Sequence, residues 1–335
     1  MRAADQEVLA QVASWLAAGR DCWLATVVAT WGSSPRPVGS LLACDRDGRM
    51  VGSLSGGCVE DDLLEQLTAG SLAAEAATIF EYGVTPEETE RLGLPCGGRL
   101  TVYLEPLRPA RDEALVEEFQ QLTTALAERR WFERLTGPDG HRLTELTWDP
   151  ERAVVTYDEA GKRFRQVFGP RKQLFIIGAG MVSHYLAEMA LMLDFAVTVC
   201  DPREHLLEAF PVADVKRLAA MPDDAIRASA SDSGSAIVAL THDPRIDDMG
   251  LLEALATDAF YIGAMGSSRT SANRRERLAL LGVDHAALDR LHAPIGLDLG
   301  SKTPPEIAVA IIAELIAVTK AQQPLRRQPA QVAIA

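Results

Sequence analysis

Several sequence signatures of metal and disulfide sites are absent from this 335-residue chain. It has no Cys-x-x-Cys pair and no His-Glu-x-x-His motif, the spacings that mark many zinc sites. Its five cysteines, an odd number, are widely spaced at positions 22, 44, 58, 96 and 200. We therefore expect neither a disulfide framework nor a structural zinc site. Cys22, Cys44 and Cys200 fall in apolar strand patterns, which predicts that they lie in the core.

Long apolar runs and a positive charge balance are also lacking. The most apolar stretch, 175–200, is broken by His184, Glu188 and Asp194, and a membrane span needs roughly 18–20 apolar residues. The net charge of −14 argues against a general binder of nucleic acid or of anionic membranes, which would be basic. The N-terminal segment carries acids early and has no signal-peptide pattern, so we expect a cytoplasmic protein.

The length predicts two domains, because a domain usually has roughly 100–200 residues. The first half mixes β-rich runs, such as CWLATVVATW (22–31) and RLTVYLEPL (99–107), with helical segments. We expect a mixed α+β domain over 1–168 and a linker at QVFGPRK, 166–172, where a Gly-Pro pair suits an exposed connection. Residues 321–335 are expected to form a polar tail.

Strands and helices alternate in the second half. Short apolar runs such as QLFIIG, FAVTVC, SAIVAL and AFYIG are mostly separated by helical patterns of about ten or more residues. This order predicts a parallel sheet with helices on both faces. The expected fold class is α/β, with a Rossmann-like doubly wound C-terminal domain over 173–320 and a separate mixed α+β N-terminal domain.

A glycine-rich loop follows the first strand of the second half. Gly178 and Gly180 permit a tight turn, and the N–H groups at the start of the following helix favour a phosphate. Asp201 ends the next strand, where it is placed to accept hydrogen bonds from a ribose. Ser183 stands where the dinucleotide motif has its third glycine. A nucleotide site and a purely structural loop therefore both remain open.

Two cysteines in the first half each lie next to paired glycines, in GSLSGGCVE (52–60) and PCGGR (95–99). Such glycines turn the backbone sharply and aim successive N–H groups into one concavity. Acids follow Cys58 and oppose a thiolate, so Cys58 suits a metal-bearing ligand better than it suits a base-assisted nucleophile. A small buried cysteine after a turn is the alternative. The residues predicted to share a ligand pocket are Ser55, Gly56, Gly57, Cys58, Cys96, Gly97 and Gly98.

Other loops carry groups suited to an anion. Ser267 and Arg269 open a helix after the strand AFYIG, and Arg36 lies in the constrained turn WGSSPRPVG. Helix capping is the alternative for Ser267, and a plain strand-to-strand turn is the alternative for Arg36. Thr241-His242-Asp243 follows the strand SAIVAL, at the carboxyl end where open α/β sheets bind ligands.

Together these motifs resemble one family, the XdhC/CoxI family. In the first half the resemblance rests on WGSSPRPVG, GSLSGGCVE and LPCGG. In the second half it rests on FIIGAG, VCDPR, THD, YIGAMGS and PIGLDLGSKTPPEIA. The motifs occur in the family's order and span nearly the whole chain, apart from about 110–168.

The resemblance implies a chaperone rather than an enzyme. Such a protein would bind the molybdenum cofactor (molybdopterin), support its sulfuration with a cysteine desulfurase as sulfur donor, and deliver it to a xanthine dehydrogenase-like molybdenum hydroxylase. Carried over to this sequence, Cys58 and Cys96 become the thiols that face the molybdenum, since soft thiolates suit that metal. Arg36 or Arg269 suits the cofactor's phosphate. The resemblance leaves open a homodimer and a nucleotide at the Rossmann site.

Two other functions remain open from the sequence alone. An NAD(P)-dependent oxidoreductase would use the Gly178–Asp201 site, with His242 or Asp243 transferring protons, but it leaves both cysteine motifs unexplained. A sulfur-transfer enzyme would carry a persulfide on Cys58. It needs a thiol of low pKa, which the acids after Cys58 oppose.

Overall fold

The chain folds as two units, Met1–Pro170 and a second unit that starts at Arg171. The computed structural model describes residues 1–31, 36–57, 59–85, 87, 99–147, 149 and 152–321. The predicted linker, 166–172, is partly wrong, because its first residues belong to a paired strand that ends at Phe168. A strand in mid-sheet has its backbone hydrogen-bonded to neighbours and cannot serve as an exposed connection.

The described part of the first unit is built from two antiparallel sheets and the helices beside them. One sheet has the order β3-β2-β1-β5-β4, with β1 (Cys22–Trp31), β2 (Leu41–Asp45), β3 (Met50–Gly52), β4 (Thr78–Tyr82) and β5 (Arg99–Leu107). The other has the order β7-β6-β9-β8, with β6 (Trp131–Gly137), β7 (Gly140–Leu146), β8 (Val155–Asp158) and β9 (Arg163–Phe168). The helices are α1 (Ala3–Ala17), α2 (Glu60–Thr68) and α3 (Ala114–Ala127). The predicted strands at 22–31 and 99–107 are confirmed.

Both faces of the larger sheet are buried, although β5 alternates apolar and polar residues. Val102 and Leu104 lie in one apolar core, which also contains residues of α2. Glu105 belongs to the opposite face of the sheet and, at 3% exposed, is also buried. The second sheet covers that face, since Tyr103 stacks on Phe164 of β9 with ring centroids 4.0 Å apart.

A buried ionic cluster joins the two sheets to α3. The guanidinium of Arg134 on β6 donates to both carboxylate oxygens of Glu105 on β5, at 2.6 and 2.7 Å. It also donates to Glu118 on α3 at 2.8 Å. Arg134 is only 2% exposed and Glu105 only 3%. Each charge therefore depends on these partners for the hydrogen bonds that water would otherwise supply.

The second unit contains a parallel sheet in the order β12-β11-β10-β13-β14-β15. Its strands are β10 (Gln173–Ile177), β11 (Ala196–Cys200), β12 (Lys216–Leu218), β13 (Ser235–Ala239), β14 (Tyr261–Ala264) and β15 (Leu291–His292). Its helices are α4 (Met181–Met192), α5 (Glu204–Glu208), α6 (Pro222–Ser229), α7 (Pro244–Leu255), α8 (Ser268–Leu280), α9 (His285–Asp289) and α10 (Pro304–Ala321). This strand order confirms the Rossmann-like doubly wound fold.

Helices cover both faces of the parallel sheet. Leu174 and Ile176 of β10 pack in one core with α4 and α10, while Phe175 and Ile177 pack in another with α6, α7 and α8. Burial on both faces explains why the strand sequences are continuous apolar runs. None of the helices in the described ranges combines the length and apolar content needed to cross a bilayer. Beyond Ala321, the predicted tail 321–335 lies outside the described residues.

The ionic cluster predicts a large difference between two arginines on neighbouring strands. We expect Arg134→Met to lower the free energy of unfolding of the first unit by about 3–5 kcal/mol, because it leaves Glu105 and Glu118 buried without their partner. Arg163→Met is the control, since Arg163 pairs with Asp139 at 3.2 Å on the surface; it should cost under about 1 kcal/mol. Urea denaturation followed by tryptophan fluorescence measures both, because all five tryptophans lie in the first 170 residues. Equal costs would contradict the assignment.

Candidate functional site

Both cysteine motifs lie in connections that leave the larger sheet at the same end. Trp31, which ends β1, pairs with Arg99, which begins β5, and Tyr82, which ends β4, pairs with Leu100. β3 runs in the direction of β1 and ends at Gly52. The connections after β3 and after β4 therefore start at one edge, and they carry the two motifs. The predicted site residues Cys58, Cys96, Gly97 and Gly98 lie outside the described residues, as do residues 32–35.

The loop between β3 and α2 is folded around the carboxylate of Glu60. Six groups donate hydrogen bonds to its two oxygens. They are Ser53 Oγ (2.8 Å), Leu54 N (2.9 Å), Ser55 N (2.9 Å), Ser55 Oγ (2.6 Å), Gly57 N (3.0 Å) and Val59 N (3.1 Å). Burial disfavours the charged carboxylate, but the hydrogen bonds from Ser55, Ser53 and Leu54 outweigh it and lower the pKa of Glu60 to about 2. The loop thus holds a permanent internal anion.

These contacts correct the prediction that the N–H groups of the glycine loop point towards a ligand. The N–H groups of Ser55 and Gly57 donate to Glu60, and that of Gly56 donates to Ser53 Oγ at 2.9 Å. From the sequence, Glu60 is only one of the acids that oppose a thiolate at Cys58. The signal for its second role is its spacing of five residues after Ser55, because the start of α2 brings the carboxylate back over the loop.

The two glycines before position 58 are exposed. Gly56 and Gly57 have φ angles of 92° and 120°, a conformation that other residues rarely adopt. A Cβ atom added to Gly57 would meet no heavy atom of the described residues within 4 Å. The loop surface there can therefore be approached closely by a bulky ligand.

The remaining thiols are poor candidates for ligand binding. Cys22, Cys44 and Cys200 are buried as predicted. Burial raises the pKa of each thiol to about 12, so all three stay protonated at neutral pH. Within the described ranges, no group of three or more His, Cys, Asp or Glu side chains is arranged to hold a metal ion. The metal-facing role of Cys58 and Cys96 stays a prediction.

Arginines lie at the same end of the larger sheet. Arg36 is half-buried just before β2, and its predicted phosphate contact stays a prediction. The Arg99 guanidinium lies over the ring of Trp31, 5.5 Å from its centroid, and donates to Glu81 at 3.3 Å. Arg99 therefore places a second cation at this edge, next in sequence to the Gly97-Gly98 pair.

In the second unit, the two glycines of the Rossmann loop differ in their surroundings. Gly178 has a φ of 104°, and a Cβ there would lie 2.7 Å from the Thr241 side chain and 3.1 Å from its backbone. Gly180 precedes α4 with a φ of −92°. A Cβ on Gly180 would meet nothing within 4 Å in the described structure. Gly178 is thus needed for the fold, whereas the space above Gly180 is free for a ligand.

Asp201 does not have the open carboxylate expected of a ribose ligand. It is fully buried, and its oxygens accept from the N–H of Ala179 at 3.0 Å and from the N–H of Arg203 at 3.0 Å. The Arg203 guanidinium adds two more hydrogen bonds at 2.8 Å. Four donors fill the acceptor positions of a carboxylate. Burial opposes ionisation, but the Arg203 and Ala179 contacts outweigh it and lower the pKa of Asp201. The contact of Asp201 with a ribose stays a prediction. It would require the Arg203 guanidinium to move away from the Asp201 carboxylate.

The loops after β13 and β14 are held by a second buried ion pair. Arg274 of α8 donates to Asp247 at 3.1 Å and to the carbonyl of Met265 at 2.9 Å. Asp247 also accepts from Thr241 N at 3.1 Å and Thr241 Oγ1 at 2.7 Å. His242, next in sequence, is exposed and has a φ of 65°. The network therefore fixes these loops at the edge where doubly wound sheets bind ligands.

Helix caps lie in the loops after β13 and β14, and the anion contacts predicted for Ser267 and Arg269 stay predictions. Ser267 caps α8, since its Oγ accepts from Thr270 N at 3.2 Å, which is the alternative considered for it. Arg269 is exposed on the first turn of that helix. Asp243 caps α7 and accepts from Arg245 N at 3.0 Å. The Arg245 side chain lowers the pKa of Asp243 to about 2, so Asp243 is ionised and is not a proton donor at neutral pH.

Two family models match the chain, one in each unit. The model described as the XdhC and CoxI family matches residues 15–83, which include the loop around Glu60. The model described as the XdhC Rossmann domain matches residues 174–315. Together they span more than half of the chain.

Known proteins are similar to this chain over most of its length. A Bacillus subtilis protein named as a probable xanthine dehydrogenase subunit is 29% identical, over 89% of this chain and 93% of its own. An Escherichia coli protein named molybdenum cofactor insertion chaperone PaoD is 28% identical, over 92% of this chain and 86% of its own. A crystal structure described as a xanthine dehydrogenase from Bacillus halodurans superimposes with a TM-score of 0.69 and 25% identity, covering 98% of both chains.

The surroundings of Gly178 and Gly180 predict that alanine destabilises the protein at the first position and leaves its stability almost unchanged at the second. Gly178→Ala should cost at least about 1–2 kcal/mol, because alanine disfavours a positive φ and its Cβ would press on Thr241. Gly180→Ala should change stability by less than about 0.5 kcal/mol. Differential scanning calorimetry should therefore show a midpoint lowered by about 2–8 °C for the first variant only. A comparable loss in the second would show that the space above Gly180 is not free.

Proposed function

This chain belongs to the XdhC and CoxI family, and on that basis we propose that it binds the molybdenum cofactor and delivers it to a xanthine dehydrogenase-like molybdoenzyme. The relative named molybdenum cofactor insertion chaperone supports this role, because the similarity to it extends over 92% of the present chain. The proposed function is that of a carrier in the cytoplasm rather than of an enzyme.

The observation that carries the proposal is the design of the loop that leads to Cys58. Its backbone is held by Glu60 on both sides of position 58, and Gly56 and Gly57 leave its surface exposed. A loop that is held by internal hydrogen bonds and carries a cysteine next to two glycines in sequence suits a bulky ligand with a soft metal atom. We propose that Cys58 and Cys96 both face the molybdenum.

The remaining contacts proposed for the cofactor are electrostatic. The cofactor's phosphate requires cationic or N–H donors, and the N–H groups of Ser55, Gly56 and Gly57 are engaged within the loop. We therefore propose that Arg36 holds the phosphate in the first unit, since a guanidinium binds phosphate oxygens through two parallel hydrogen bonds. Sulfuration of the bound cofactor by a cysteine desulfurase, and a homodimeric state, complete the proposal.

For the second unit we propose an anion or nucleotide site without redox turnover. The free space above Gly180 and the N–H groups at the start of α4 favour a phosphate. Against hydride-transfer chemistry, Asp243 is ionised as a helix cap and is not a proton donor at neutral pH. The oxidoreductase alternative retains only His242 as a proton-transfer group among the loop residues considered for that role.

Cofactor binding is tested by native mass spectrometry of protein purified from a molybdenum-replete host that makes the cofactor. We expect the wild-type chain to carry molybdopterin with molybdenum. Cys58→Ala and Cys96→Ala should each weaken cofactor affinity at least about tenfold, a loss of about 1.4 kcal/mol, and so lower the bound fraction. Cys200→Ala is the control, because that thiol is buried and protonated. Unchanged occupancy in both of the first two variants would overturn the thiol-ligand role.

The second site is tested by titration calorimetry with inorganic phosphate, ATP and NADH. Saturable binding of one of these is expected for the wild-type chain and for Gly180→Ala, and its loss is expected for Gly180→Val, whose branched side chain fills the space above the loop. Mixed with NADH or NADPH and candidate carbonyl compounds, the protein should leave the absorbance at 340 nm unchanged, to within roughly the uncatalysed rate. Robust substrate-dependent oxidation would favour the oxidoreductase instead.

A further inference from the structure

Glu60 contacts the backbone immediately before and immediately after position 58. Its Oε2 accepts from Gly57 N at 3.0 Å and from Val59 N at 3.1 Å. Its Oε1 accepts from Leu54 N and Ser55 N, both at 2.9 Å. One side chain thus holds four backbone N–H groups of a short loop, and the last two of these flank the cysteine in sequence.

We propose that Glu60 is a positioning residue, which fixes the backbone on both sides of Cys58 and so sets the place of its thiol for the cofactor. The proposal rests on the proposed role of Cys58. Nothing in it requires Glu60 to touch the cofactor, since its carboxylate is only 5% exposed and is occupied by the loop's own donors.

The position of the carboxylate is itself set by the core. Glu60 is the first residue of α2, and the same helix buries Leu63 and Leu67 in one core with Leu54 and Val59. Helix, loop and carboxylate are therefore anchored to a common apolar cluster. The positive φ angles of Gly56 and Gly57 let the loop turn back towards that anchor.

The donor set requires a carboxylate at this point. Six donors converge on two oxygens, and a carboxylate offers about four acceptor positions and no proton. In glutamine, an NH2 group replaces one of the two carboxylate oxygens. That NH2 group would face N–H groups that now donate to Oε1 or Oε2, and it cannot accept their hydrogen bonds. It would leave buried donors unpaired at about 1–3 kcal/mol each. An aspartate keeps the charge but is one methylene shorter.

A second consequence concerns anions. A loop of successive N–H groups ordinarily attracts phosphate or sulfate, but here an internal carboxylate already occupies those donors. An external phosphate would have to displace a tethered anion and would meet its negative charge. The N–H groups of this loop are therefore not a phosphate site.

The test compares Glu60→Gln with Glu65→Gln, the matched control on an exposed site of the same helix, and Glu60→Asp as a variant that keeps the charge. All are made in the otherwise wild-type protein, because Cys96 is itself a proposed contact of the cofactor. Circular dichroism first confirms that each variant is folded.

In Glu60→Gln we expect amide exchange across 53–59 to accelerate by about ten- to a hundredfold. Glu60→Asp should fall between this and the wild type, and Glu65→Gln should match the wild type.

A double-mutant cycle then separates positioning from a general loss of structure. The probe is molybdenum cofactor freshly released from a purified molybdoenzyme, and its affinity is measured by fluorescence quenching. Glu60→Gln should weaken binding at least about fivefold when Cys58 is present and should have no further effect in Cys58→Ala protein. Equal weakening in both backgrounds, or unchanged amide exchange in Glu60→Gln, would overturn the proposal. Accelerated exchange in a protein that never binds the cofactor would instead leave Glu60 as the anchor of the loop and refute the proposed function.

Discussion

Buried carboxylates that accept hydrogen bonds from loop N–H groups are the interaction on which this structure depends. Glu60 does this for the loop after β3, Asp201 for the Rossmann loop at Ala179, and Asp247 for the loop after β13 at Thr241. The same arrangement recurs in Asp45 with Arg49 N. Two related contacts are those of buried Asp5 with Leu41 N, at the start of β2, and of partly buried Glu314 with Gly296 N. A buried N–H group without a partner costs free energy, so each loop shape is tied to one acid.

Some of the acidic residues that contribute to the net charge of −14 have a structural role. Some of the acids are not part of a solvated negative surface but hold the loops at the ends of strands. The cations that neutralise them are equally specific, as Arg203 is for Asp201 and Arg274 for Asp247. Replacing such an acid therefore removes both a charge and the geometry of a loop, and effects on ligand binding must be separated from effects on folding.

The fold was predictable from the sequence to a greater degree than the site. Strands such as 22–31 and the parallel runs of the second half follow from local apolar patterns, because sheet burial leaves a periodic trace in the sequence. β15 leaves no such trace, since its two residues, Leu291 and His292, owe their pairing to β14 alone. The linker was placed too early because the Gly169-Pro170 pair marks the turn after β9 and not the strand that precedes it.

At the candidate site, the sequence predicts where the glycine loops lie but not the partners of their donors. Paired glycines predict that N–H groups will converge. They do not show whether the acceptor of those hydrogen bonds is an external anion or a side chain of the same chain. For Asp201 the answer depended on Arg203, two residues further along, whose guanidinium folds back onto the carboxylate. The hydrogen-bond partner in each case depends on side-chain rotamers and on burial, which local sequence patterns do not encode.

Engaging these donors internally also suits a protein that must release what it binds. A ligand held by every N–H group of a preformed nest leaves slowly, because differences in affinity appear mostly in the dissociation rate. In the proposed carrier, the strong donors of the loop are already satisfied by Glu60, and this loop offers the cofactor only the Cys58 thiol and an open surface beside Gly57. The loop is thereby rigid before binding, which limits the entropy lost on association, while the contacts to be broken at delivery remain few. In the proposed carrier, a preorganised loop and a small number of loop contacts to the cofactor follow from the same carboxylate.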